Sequence, residues 1–190
     1  MTRQRPARMK IRILLSAFML GLAACQTLPD PEEMRETACA ELPCREAGTL
    51  ALLDSGGYPH FFRVPAGPVF APGLLSLVPG ESAHLHVRQD GDGNGSSLEW
   101  RESPDEQTVS FRFSQATDTE GFPMRLQVHN RLDRPLYFEV EQHPADDDRF
   151  HPLAAPVVPA NSRVQRHWHH LIVEIQIYGF QLAAPLQEGD

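Results

Sequence analysis

His84 and His86 lie two residues apart, as do His167 and His169, with His170 following. Imidazole nitrogens are ligands for zinc and copper. In a strand, residues i and i+2 point from one face, so two such pairs on neighbouring strands would make a four-nitrogen site. The polar face of a surface strand is also an ordinary home for histidine, and Met34 and Met124 fall short of a Met-rich copper carrier. The parity of the second pair aligns His167 and His169 with Leu171 and Val173, toward the core edge. Nucleophilic chemistry has little to work with. Ser55 sits in Asp-Ser-Gly-Gly, without the Gly-x-Ser-x-Gly elbow that exposes a serine for attack. Asp146, Asp147 and Asp148, with His143 and His151 nearby, read most simply as a solvated acidic loop. The chain is therefore expected not to be an enzyme, and no cofactor is expected.

Asp90-Gly91-Asp92-Gly93-Asn94-Gly95 resembles the first half of an EF-hand calcium loop. Asp90, Asp92 and Asn94 would supply oxygens, and Gly95 the sharp turn. The second half departs from that pattern. Arg101 occupies the twelfth position, where a bidentate Glu is needed, and strand-like rather than helix-like segments flank the loop. A glycine-rich hairpin connection accounts for the same residues.

The cysteines report location. Arg3, Arg5, Arg8, Lys10 and Arg12 precede an apolar run from Ile13 to Ala24 that closes on Leu22-Ala23-Ala24-Cys25. The run is shorter than the roughly 20 apolar residues of a bilayer-spanning helix and has the layout of a signal peptide. Met9-Lys10-Ile11-Arg12 is already a complete basic leader, so Met9 is an alternative start. The motif Leu22 to Cys25 resembles the lipobox of bacterial lipoproteins. That resemblance implies removal of residues 1–24 and lipidation of Cys25. Gln26, not Asp, follows the cysteine, which in that class implies the periplasmic face of the outer membrane. Several acyl chains would hold the protein stably, since a single chain binds only marginally.

Cys39 and Cys44 remain, and an oxidising periplasm lets them close a small loop. A two-thiolate metal site is the weaker alternative. The chain carries 17 basic and 25 acidic residues, for a formal charge of −8. Without residues 1–24, which hold five basic and no acidic groups, 12 arginines, no lysine and the same 25 acids remain, for −13. Such a balance repels nucleic acid and anionic headgroups, so the membrane must be held through the lipid and the expected partner is a periplasmic or envelope protein.

Positioning these groups falls to strands. Asp30-Pro31-Glu32-Glu33 predicts a short helix, with Asp as N-cap and Pro at the first helical position, ending near Ala40. From Gly48 the pattern has period two. Ala83, Leu85 and Val87, then Val109, Phe111 and Phe113, then Met124, Leu126 and Val128, then Leu136, Phe138 and Val140 each alternate with polar residues. Leu171, Val173, Ile175 and Ile177 form the longest such face. Asn130 closing one run and Pro135 opening the next resemble an inter-strand corner of immunoglobulin-like domains. The prolines of 64–79 and 152–159 mark loops or edge segments. The expected architecture is an all-β, antiparallel β-sandwich, immunoglobulin-like, of about seven to nine strands. A closed barrel is the alternative. The expected divisions are a signal peptide over 1–24, a tether with helix and Cys39–Cys44 loop over 25–47, and the sandwich over 48–190. The expected role is a non-enzymatic accessory to envelope assembly or protein binding. A metal- or ligand-binding protein is the alternative, and an envelope hydrolase the weaker one.

Overall fold

The computed structural model describes residues 30–89 and 96–183. One helix, α1 (Pro31–Glu41), is followed by β1 (Cys44–Arg45), β2 (Gly48–Leu53), β3 (Pro59–Val64), β4 (Gly67–Pro68), β5 (Phe70–Ala71) and β6 (Leu74–Leu77). Then come β7 (Ser82–Gln89), β8 (Ser96–Arg101), β9 (Thr108–Gln115), β10 (Met124–Asn130), β11 (Leu136–Pro144), β12 (His151–Leu153), β13 (Ser162–Trp168) and β14 (Ile172–Leu182). Two five-stranded sheets, in the orders β13-β10-β9-β7-β8 and β12-β11-β14-β6-β5, make an antiparallel sandwich. The ten strands of these sheets exceed the expected seven to nine, because the proline-rich stretch before residue 79 contributes the short β5 and β6 at an edge.

Alternation builds the core. Met124, Leu126 and Val128 of β10, Val109, Phe111 and Phe113 of β9, and Leu136, Phe138 and Val140 of β11 all turn inward and are buried. Phe111 joins the two sheets: its ring meets Phe138 edge-on at 5.6 Å and Phe180 edge-on at 5.9 Å. Such contacts add about 0.5–1.5 kcal/mol to the area each ring buries.

Strand pairing accounts for the immunoglobulin likeness and for where it stops. In an immunoglobulin domain strand B pairs with E in one sheet while C pairs with F in the other. Here β10 pairs with β13 and β11 with β14, each pair antiparallel. β9 lies beside β10 where strand A would, and β12 lies beside β11 where C′ would. The place of strand G beside β14 is taken instead by β6, from the first half of the chain. The crossing from β10 to β11 is tied by Asn130, which is fully buried. The two hydrogens of its Nδ2 are shared among Arg134 O at 2.8 Å, Pro159 O at 3.0 Å and Val158 O at 3.2 Å, and its Oδ1 accepts from Leu132 N at 3.0 Å.

One expectation fails in β14. The buried row is Ile172, Ile175 and Ile177, while Leu171 and Val173 are only half-buried. The register against β11 slips between His143 and Pro144, where β14 has one residue more than its partner. A bulge of one residue exchanges the two faces of a strand, so Ile172 takes the inward place that strict alternation gives to Leu171 and Val173. A second slip falls at Gly179, whose positive φ of 63° suits glycine, and Phe180 then reaches the core ring cluster.

The N-terminal elements are fastened onto this body. Asp30 Oδ1 accepts from Glu32 N at 2.9 Å, capping α1 as the sequence predicts. Cys39 and Cys44 are joined by a disulfide. Arg45, next in sequence, donates from Nη2 to Ser76 O at 2.7 Å and Ser76 Oγ at 2.8 Å, and its Nε lies 3.1 Å from Glu81 Oε1. β2 and β3 form a separate hairpin that sends Leu52 into the core. Gln115 holds its end, accepting from Leu53 N at 2.8 Å and donating to Leu53 O at 2.7 Å.

Candidate anion-binding face

The outward side of the first sheet collects positive charge. The register places Arg163 of β13 opposite His129 of β10, His129 opposite Ser110 of β9, Ser110 opposite His84 of β7, and His84 opposite Arg101 of β8. The neighbouring row runs Gln165, Gln127, Arg112, Ser82, and the row beyond it His167, Arg125, Ser114. The acid in these strands is Glu99 on β8, which pairs with Arg88 at 3.2 Å and Arg101 at 2.9 Å. On the opposite sheet the outward side carries Glu139 and Glu141 of β11 and Glu174 of β14. The sandwich therefore separates its charge between its two faces.

At the centre of the basic face lies a concavity of about 410 Å³ lined by Arg112, Arg131, Arg163, His84, His129 and Ser110, with polar and apolar neighbours and without an Asp or Glu. Arg131, just past β10, donates from Nη1 to Ser110 Oγ at 2.7 Å. Ser110 Oγ in turn lies 2.8 Å from His84 Nδ1. A hydroxyl can accept from the guanidinium while donating to the ring, so the three side chains fix one another. An adjoining concavity shares His129 and Arg131 and is lined also by Glu106 and Asp133. The acid-free ground ends there.

The histidines register this charge. Burial, and then the charge of Arg131, hold the His84 ring below its ordinary pKa. Burial, then Arg131 and Arg163, do the same to His129. Both groups bind protons more tightly in the unfolded chain, so their contribution to stability is present above about pH 6.5 and is lost as pH falls toward the lowered values. In an NMR titration both rings should show midpoints below 6.5, and Arg131→Gln should raise both. Midpoints unmoved by that substitution would break the link between Arg131 and the two rings.

The Ser110 and His84 pair has the reach of a nucleophile with its base. The cation beside it works against that use, because a ring that must take a proton becomes an imidazolium next to Arg131. A face of guanidiniums and imidazoles is chemically suited instead to an anion.

The other sequence-level candidates separate. His84 and His86 do share a face of β7, but β9 and β10 lie between that strand and β13. Three strand spacings of roughly 4.8 Å put His84 about 14 Å from the β13 row, whereas zinc holds imidazole at about 2.1 Å. The two-pair arrangement weighed from the sequence is therefore not brought together. Among the described residues no group of three His, Cys, Asp or Glu could hold a metal ion. His86 is buried, its Nδ1 3.8 Å from Asp105 Oδ2, beyond hydrogen-bond reach. His167 points outward beside Arg125 and His169 is exposed in the bend after β13, not at the core edge as strand parity suggested. Ser55 is exposed in the β2–β3 turn, and His151 bonds Asp147 at 2.8 Å. Cys25, Asp90, Asp92 and Asn94 lie outside the described residues.

Sequence reasoning missed Ser110, Arg112, Arg131 and Arg163. The signal was present: Ser110, Arg112 and Ser114, Arg125, Gln127 and His129, and Arg163, Gln165 and His167 are three polar rows without an acid in a strongly acidic chain.

Fold and face together define a class, an all-β sandwich with a charge-divided exterior and a basic concavity on one sheet. Comparison with known protein families, with curated proteins and with solved structures finds no match for this chain.

Proposed function

We propose that this chain is a non-enzymatic lipoprotein of the outer membrane, anchored through Cys25 on the periplasmic side, whose sandwich binds an envelope partner that presents negative charge. The observation that carries the binding half is the acid-free basic concavity on a chain of net charge −8. Scattered surface arginines in so acidic a protein would ordinarily meet carboxylates; here three of them line one concavity that has no Asp or Glu in its lining. The anchoring half is supported by the ordered sequence of basic leader, apolar run and Leu22-Ala23-Ala24-Cys25. Among the described residues no helix is long and apolar enough to cross a membrane. A protein partner, expected from the sequence, is thereby narrowed to one with an acidic or otherwise anionic surface.

Cell fractionation tests the anchor. The native chain is expected in the outer-membrane fraction with the mass of its acyl chains added, and Cys25→Ser in an unprocessed or displaced form. An unchanged distribution and mass for Cys25→Ser would contradict the anchor. Binding is tested by the retention of the chain on isolated envelopes after the acyl contribution is matched. Arg131→Gln with Arg163→Gln should abolish a salt-sensitive part of that retention, and retention indifferent to both would contradict the role of the face.

A further inference from the structure

We propose that the concavity around Arg131 is a binding site for a dianionic phosphate group, of the kind carried by a phosphate monoester. This rests on the basic face being the binding face, and it names the ligand chemistry there. The lining brings guanidiniums from three separate places, Arg112 on β9, Arg163 on β13 and Arg131 after β10, around one space of about 410 Å³. That volume lies within the range of small-molecule sites. Ion pairs engage Arg45, Arg88 and Arg101, among others, and among the described residues none engages any of these three. Three like charges around one hollow repel one another, and a single carboxylate would balance only one of them. A dianion with several oxygens relieves more of that repulsion and can meet more than one guanidinium fork.

The site is also organised in advance. Arg131 is anchored by its bond to Ser110, and its backbone N–H reaches Thr108 O at 3.3 Å. With Nη1 committed to Ser110, the other guanidinium N–H groups remain available to a ligand. His84 is oriented by the same serine: with Nδ1 accepting from the Ser110 hydroxyl, Nε2–H is the ring's donor. Glu106 and Asp133 bound the adjoining hollow and repel a ligand that carries negative charge further in that direction, which suits a single terminal phosphate over a long polyanion.

Calorimetric titration of the full-length chain in detergent, at fixed ionic strength and neutral pH, tests this with four probes: inorganic phosphate, glycerol phosphate, a water-soluble short-chain phosphatidic acid, and acetate. The expected result is saturable binding of the three phosphates, weakened at least tenfold in Arg131→Gln and in Arg163→Gln. Acetate should bind at least tenfold more weakly, and Arg149→Gln, an exposed arginine outside the lining, should match the native chain. Arg163 lies exposed on an edge strand, so its substitution keeps the test open should Arg131→Gln fail to fold. A phosphatidic acid bound more tightly than glycerol phosphate assigns the phosphate to a lipid headgroup, and equal affinities assign it to a soluble phosphoester. Absence of saturable phosphate binding, equal binding of acetate, or affinities unchanged in both arginine variants would overturn the phosphate assignment. If envelope retention is still lost in those variants, only the ligand is wrong; if it too is unchanged, the reading of the face falls with it.

Discussion

Phe111→Ala should destabilise the protein by about 3–5 kcal/mol, the range for truncating a fully buried aromatic. Phe111 is 1% exposed and is the ring on which Phe138 and Phe180 converge from the facing sheet. Its removal leaves a cavity between the two sheets and loses both edge-on contacts. The neighbouring Arg112 lies on the other side of the same strand and is exposed. Arg112→Ala should cost about 0.5 kcal/mol or less, as surface substitutions do, while weakening anion binding. Chemical denaturation of the two variants checks the pair. Equal losses would mean that β9 does not divide core from ligand face as described.

Asn130→Ala should cost about 3 kcal/mol, although it removes only an amide group. The side chain ties together two connections, 131–135 and the segment at 158–159, through two donor hydrogens shared among three carbonyls and one accepted bond. Each buried group left without a partner costs about 1–3 kcal/mol. Val158 O keeps its bond from Leu136 N, and Arg134 O and Pro159 O lie near enough to the surface to recruit water, so the losses fall short of their sum. Asn130→Asp separates hydrogen bonding from shape. A carboxylate would face three carbonyl oxygens, so its folded pKa would be raised, and the variant would be most stable in acid and lose stability as pH rises. A variant equally stable at pH 4 and pH 7 would contradict the assignment of the donated bonds.

Much of the fold was legible because burial on one face imposes a period of two, which β10 follows throughout and β9 and β11 follow over 109–113 and 136–140. β14 was misread where the chain departs from that period. The bulge near Val173 shifts the pattern by one residue, and nothing in a run of Leu, Ile and Val says which of them is the extra one. The helix was legible because its cap is local, Asp30 against Glu32 N. The candidate site was legible only in parts. Alternation puts Arg125, Gln127 and His129 outward, but which strands flank them is decided by long-range pairing. Spacing alone suggested that His84 and His167 could meet; the order β13-β10-β9-β7 holds them apart and gathers His84, His129, Ser110 and three arginines instead. Arg131, outside any strand, belongs to no periodic pattern at all.

The partner is expected on the basic sheet face and not on its acidic opposite. A photo-crosslinking residue placed at Gln127, within the concavity, and separately at Gln176, on the outward side of β14 between Glu174 and Tyr178, tests it in intact cells. Irradiation should give a defined adduct from position 127 that disappears when Arg131→Gln and Arg163→Gln are added, with position 176 giving none that depends on those arginines. An adduct from position 176 alone, or one from position 127 indifferent to both arginines, would contradict the account.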